Sequence, residues 1–111
     1  MDITFKNRKL EKIFNSEKEL CKKFGQENGR LIMRRMMVLN AAPCLVEVPD
    51  KRPERRHELK GNRRGQFAVD IKQPYRLVFK PNHKPLPRKD DGGLDLERIT
   101  AITILGVEDY H

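Results

Sequence analysis

The sequence predicts an α+β protein: two or three N-terminal helices packed on a small, mostly antiparallel sheet. Three observations carry this. Apolar residues recur at helical spacing between Leu10 and Ala42. From Phe67 the pattern changes to alternation, with Phe67, Val69 and Ile71 followed by Tyr75, Leu77 and Phe79. A β-branched run, Ile99 to Val107, then closes the chain's apolar pattern. Helices followed by strands, rather than the two in alternation, is the order of an α+β fold.

Ile3 and Phe5 share one side of Asp2–Phe5, which suits a short opening strand. Leu10, Ile13 and Phe14, then Leu20, Cys21 and Phe24, lie on one helical stripe. Asn15-Ser16 interrupts it, and Ser16 with Glu19 has the spacing of a capping box, so two short helices are predicted. Gly25 suits a C-terminal cap.

The next helix is predicted over Arg30–Ala42. Ile32, Met36 and Leu39 fall on one face, Met33 and Met37 beside them, and Arg34 and Arg35 largely off it. That methionine-rich stripe reads as core packing. Pro43 ends the helix. Residues 44–56 form a connection in which Leu45, Val46 and Val48 tack the chain to the core.

Lys72-Gln73-Pro74 reads as a tight turn between antiparallel strands. In the return strand Tyr75, Leu77 and Phe79 face one way, and Arg76 shares the other face with Val78. Pro81, Pro85, Pro87 and Asp90-Asp91-Gly92-Gly93 mark residues 81–98 as a long polar loop.

Composition narrows the class. A chain of 111 residues suits one domain, 1–111, with a modest core. Charged residues make up 36% and mean hydropathy is -0.77, and no apolar run approaches a bilayer span. The N-terminus lacks the layout of a secretory signal. Cys21 and Cys44 stand in unrelated contexts without metal-type spacing, and read as reduced structural residues. The net charge of +8 calls for a polyanionic or acidic partner. Between Lys51 and Arg64, seven Lys/Arg stand against two Glu in 14 positions, leaving +5 there.

That basic stretch surrounds one imidazole, His57. In its neutral form an imidazole is suited to act as a general base. Glu108, Asp109, Tyr110 and His111 form the other cluster of groups able to move protons, and the last three gather an acid, a phenol and a second imidazole directly after the last strand. Arg76 is placed to clamp a phosphate from a rigid position. The expectation is that the two imidazoles meet on one face. This inventory suits metal-free RNA cleavage, in which one group withdraws the 2′-OH proton, another protonates the leaving 5′ oxygen and fixed cations steady the phosphorane. RNA brings its own nucleophile, so no reactive Ser or Cys is required. Gly61 and Gly65 lack the spacing of a phosphate-cradling loop.

Arg56-His57-Glu58-Leu59-Lys60-Gly61-Asn62-Arg63-Arg64-Gly65-Gln66-Phe67, then Tyr75-Arg76-Leu77-Val78-Phe79, then Asp109-Tyr110-His111 together resemble a HigB-type toxin of the RelE/ParE superfamily. Asp91-Gly92-Gly93-Leu94-Asp95 followed by Ile99-Thr100-Ala101-Ile102 resembles a branch with a longer loop before the last strand. Phe67 stands where relatives often carry Trp. The resemblance implies the RelE fold and a type II toxin–antitoxin pair acting in the bacterial cytoplasm. It implies cleavage of mRNA in the ribosomal A site without metal or cofactor, with contacts to 16S rRNA. A cognate helix-turn-helix antitoxin would hold the toxin in check, and operator DNA would be reached only through it. His57, Asp109, Tyr110 and His111 match the family's active-site positions, and Lys60 and Arg76 its phosphate-contacting ones. Arg55, Arg56, Arg63 and Arg64 are expected to hold the RNA backbone. Two rival expectations stand beside this: a ParE-like, non-enzymatic inhibitor of a protein such as DNA gyrase, and a basic RNA- or partner-binding module whose catalytic set has decayed.

Overall fold

A computed structural model describes residues 1–109 of the chain. Three helices pack on a five-stranded, mostly antiparallel sheet. The opening strand β1 (Asp2–Phe5) leads into α1 (Arg8–Phe14), α2 (Glu17–Phe24) and α3 (Gln26–Ala41). A short strand β2 (His57–Glu58) follows, then β3 (Phe67–Asp70), β4 (Tyr75–Pro81) and β5 (Ala101–Asp109). The order across the sheet is β1-β5-β4-β3-β2, and only the β1–β5 pair is parallel.

Helix boundaries follow local chemistry. Asn7 Oδ1 accepts the Leu10 N–H at 2.8 Å, and Ser16 Oγ accepts the Glu19 N–H at 3.2 Å, which starts α1 and α2 with side-chain caps. Gly25, at φ +90°, ends α2 and opens α3 in one step. For that reason α3 begins at Gln26, four residues before the sequence pattern predicts. Arg35 also departs from expectation. It is 7% exposed, and its Nε donates to the Asp70 carbonyl at 2.6 Å, so a helix residue read as off the core face ties α3 to the end of β3. Of the methionine stripe, Met33 and Met36 pack against the core, whereas Met37 is 70% exposed.

Ile32 and Leu39 of α3, Phe14 and Leu20 of the first two helices, and Phe67, Val69, Leu77, Phe79, Ile102 and Ile104 of the sheet share one buried cluster. Each such fully buried aliphatic or aromatic side chain contributes roughly 1.5–3 kcal/mol against leaving it in water. Phe67 and Phe79 face each other across β3 and β4 with ring centroids 6.2 Å apart. Leu45 and Val48 are buried as predicted, while Val46 points to solvent at 39% exposure.

Residues 81–98, predicted as a loop, carry their own order. Arg88 bridges Leu94, Lys89 N–H donates to the Gly93 carbonyl at 2.8 Å, and Leu96–Arg98 form a 3₁₀ turn. His83 Nε2 accepts the backbone N–H groups of Thr100 and Ala101 at 3.0 and 3.3 Å, pinning the segment to the root of β5. Among the described residues no helix is long and apolar enough to cross a membrane.

Candidate functional site

The helices cover one face of the sheet, so alternation leaves Ala68, Asp70, Arg76, Val78 and Glu108 on the other. Leu59, Ala68 and Val78, with Leu105 beside them, make a second, smaller apolar cluster. Around this floor the charged groups are arranged by strand register.

His57 occupies β2, a strand that the sequence pattern did not predict, and its Cα partner is Ala68. Its Nδ1 lies 2.8 Å from the Arg55 carbonyl oxygen. A carbonyl can only accept, so Nδ1 holds the proton, and in the neutral ring Nε2 is the basic nitrogen. Local backbone geometry aims that carbonyl. Arg55 sits in the left-handed region at φ 47°, and its N–H closes a turn onto the Lys51 carbonyl at 2.9 Å. A non-glycine residue there stores roughly 1–2 kcal/mol of strain, which its neighbours must hold in place. The holding contact is a two-pronged ion pair, Arg55 Nε to Asp70 Oδ2 at 2.6 Å and Nη2 to Oδ1 at 3.0 Å. Asp70 in turn accepts Arg35 through its backbone. Helix α3, strand β3 and the turn before β2 are thus linked to the histidine ring.

Arg76 lies one row along the sheet, with Asp70 and Glu108 as its Cα partners. Two strand spacings and two residues of rise put its Cα roughly 12 Å from that of His57. Its side chain is 16% exposed, and Nη2 is 3.4 Å from Glu108 Oε1. Arg63 reaches the same carboxylate by both terminal nitrogens, Nη1 to Oε1 at 2.6 Å and Nη2 to Oε2 at 2.5 Å. It also donates to Gln66 Oε1 from Nε and Nη2. The Arg63 hydrogen bonds hold the Glu108 carboxyl below its ordinary range, opposed in part by burial and helped by Arg76. The Arg63 guanidinium moves the opposite way for the same reason.

The residues expected from sequence therefore divide. His57 and Arg76 share the helix-free face. Arg55, Arg56 and Arg63, expected on the RNA backbone, are engaged within the fold, Arg56 through its Nε on the Val48 carbonyl at 2.9 Å. Lys60 and Arg64 are exposed. Asp109 ends β5 opposite Tyr75, and alternation turns it to the other side of the strand from Glu108. Tyr110 and His111, and with them the expected meeting of the two imidazoles, lie outside the described residues.

Asp70, Arg35 and Gln66 were not singled out by the sequence, and Glu108 only as the first of four C-terminal residues able to move protons. Glu108 had a readable signal: alternation along β5 places it opposite to Val107, on the Arg76 side. Among the described residues no three His, Cys, Asp or Glu side chains converge to hold a metal ion. Chemically, the face offers an anchored imidazole and a sheltered guanidinium, both borne on strands. No protein-family model matches this chain, and a search of curated proteins finds no match.

Proposed function

We propose that this protein is the toxin of a type II toxin–antitoxin pair, RelE-like in fold, that cleaves mRNA on the ribosome without a metal ion. One observation supports the reading most: His57, its Nδ1 anchored at 2.8 Å, shares a sheet face with the sheltered Arg76. An imidazole of fixed tautomer suits proton transfer, and a rigid guanidinium suits charge that develops at phosphorus.

In the proposed reaction the 2′-OH loses its proton, its oxygen bonds to phosphorus, and the bond from phosphorus to the 5′ oxygen breaks. The 5′ oxygen then takes a proton, leaving a cyclic phosphate on one fragment and a hydroxyl on the other. His57 acts as base or acid and His111 as its complement, with Asp109 supporting an imidazole and Tyr110 positioning or stacking on a base. Arg76 and Lys60 bind the scissile phosphate. Arg64 holds the backbone, while Arg55, Arg56 and Arg63 shape the surface that receives it. The proposed partners are the ribosome with its 16S rRNA, the message, and a helix-turn-helix antitoxin in the bacterial cytoplasm.

Primer extension on a defined message in a translating extract tests this. New 5′ ends within codons are expected, lost on His57→Ala and on deletion of His111. An uncut message together with accumulating gyrase–DNA complexes would replace the nuclease with a ParE-like inhibitor.

A further inference from the structure

The ordered segment 81–98 does more than connect β4 to β5. Its tip and the loop that follows His57 border a half-open cleft of about 500 Å³, lined by Glu58, Arg64, Leu86, Arg88 and Leu94 and by the Gly92-Gly93 backbone. That volume lies in the roughly 300–1,000 Å³ range of small-ligand sites. Glu58 follows His57 in β2 and is turned to the opposite side of that edge strand. The cleft therefore lies just around the sheet edge from the imidazole.

Its walls have a definite chemistry. Leu86 and Leu94 are half-buried apolar surfaces, and the Arg88–Leu94 bridge holds one of them in place. Arg64 and Arg88, both exposed, line the cleft as well. Arg88 is braced by its Nη1 on the Gly92 carbonyl at 2.8 Å, and Arg98 donates to the Arg88 carbonyl at 2.9 Å. Glu58 accepts the Gly65 N–H at 3.0 Å through Oε2. A carboxylate has about four acceptor sites, so one such bond leaves capacity for a ligand's N–H groups. Apolar plates, two cations and one oriented carboxylate match the parts of a single nucleotide: a flat base, an anionic phosphate and a base edge rich in donors.

We propose that this cleft binds one nucleotide of single-stranded RNA, a neighbour of the scissile bond whose strand passes around the β2 edge. Arg64 and Arg88 take its phosphate, and Leu86 and Leu94 take the base face. Glu58 prefers guanine, whose Watson–Crick edge presents two N–H donors side by side. The assignment rests on the RNA-cleavage reading for the path of the strand and supplies that reading with a specificity subsite.

The test uses the full chain and a short, 2′-O-methylated single-stranded RNA, which cannot be cut, carrying guanosine and one photoreactive thiouridine at successive positions. Crosslinking is expected to reach the 86–94 segment from one position. Arg64→Glu and Arg88→Glu should each weaken binding about tenfold, against an unchanged Lys18→Glu control, with thermal melts confirming folded protein. Replacing the guanosine by adenosine should weaken wild-type binding about tenfold, and Glu58→Gln should erase that difference. Crosslinks confined elsewhere, equal losses in the control, or preference for duplex RNA or an acidic peptide would overturn the subsite. His57→Ala separates the two readings, since it should keep the crosslink. An extract that cuts the message with no crosslink at 86–94 leaves the nuclease and removes the subsite. A crosslink without any cutting does the reverse.

Discussion

Glu108 gives both of its carboxylate oxygens to Arg63, at 2.6 and 2.5 Å, across 45 residues of sequence. The same Oε1 lies 3.4 Å from Arg76. One acid therefore sets the position of two cations on the helix-free face.

That relationship makes stability depend on acid. The native state favours the ionised Glu108, whose carboxyl is held below its ordinary value of about 4.5. Its contribution is complete above that value and fades as the pH falls through the lowered native one. Glu108→Gln should cost about 1 kcal/mol near neutral pH, in the range of partly exposed pairs. The gap to wild type should close at the acid end of a denaturant-melt series. A gap that widened as pH fell would contradict this account. The same variant should bind short RNA more tightly at low salt, because Arg63 and Arg76 lose their internal anion.

In the proposed reaction Arg76 meets the charge that develops at phosphorus. Arg76→Ala should lower single-turnover cleavage of a ribosome-bound message by about 10²–10³-fold, the scale of losing one fixed donor. Arg76→Lys keeps the charge without the planar fork and should recover only a small part. Wild-type cutting by a folded Arg76→Ala protein would remove Arg76 from the mechanism.

Asp70 holds Arg55 in its left-handed turn, and that turn carries the carbonyl to which His57 is anchored. Asp70→Ala should lower unfolding stability by about 1.5–3 kcal/mol, as for hydrogen bonds to charged groups. Cleavage should fall more than the folded fraction does, since the ring loses its orientation. A denaturant midpoint equal to that of wild type would show that the turn holds itself.

Gly29 lets α3 approach α2 closely at Cys21. A Cβ there would stand 2.6 Å from Cys21 Sγ and 2.9 Å from the Cys21 N and Cα. Backbone atoms cannot step aside, so Gly29→Ala should cost about 1–3 kcal/mol by overpacking. Thermal melts would reveal it, and an unchanged Tm would mean that the helix pair slides freely.

The α+β class, the element order, the break at Asn15-Ser16, the hairpin at Lys72-Gln73-Pro74 and the shared face of Arg76 and Val78 are all legible in the sequence. They rest on periodicity and turn chemistry, which act within a few residues of chain. Strand β2 is not legible, because two residues cannot display an alternation. Neither is the division of labour among the arginines: Arg55, Arg56 and Arg63 look alike in a basic stretch. Tertiary placement decides that Arg55, in the turn before β2, meets Asp70 and that Arg63, in the turn before β3, meets Glu108, while Lys60 and Arg64 stay exposed. Burial of Arg35 and the ordering of residues 81–98 follow the same rule. Charge pairing is a matter of distance in space, and only the assembled sheet brings residues 15 to 45 positions apart within reach of one another.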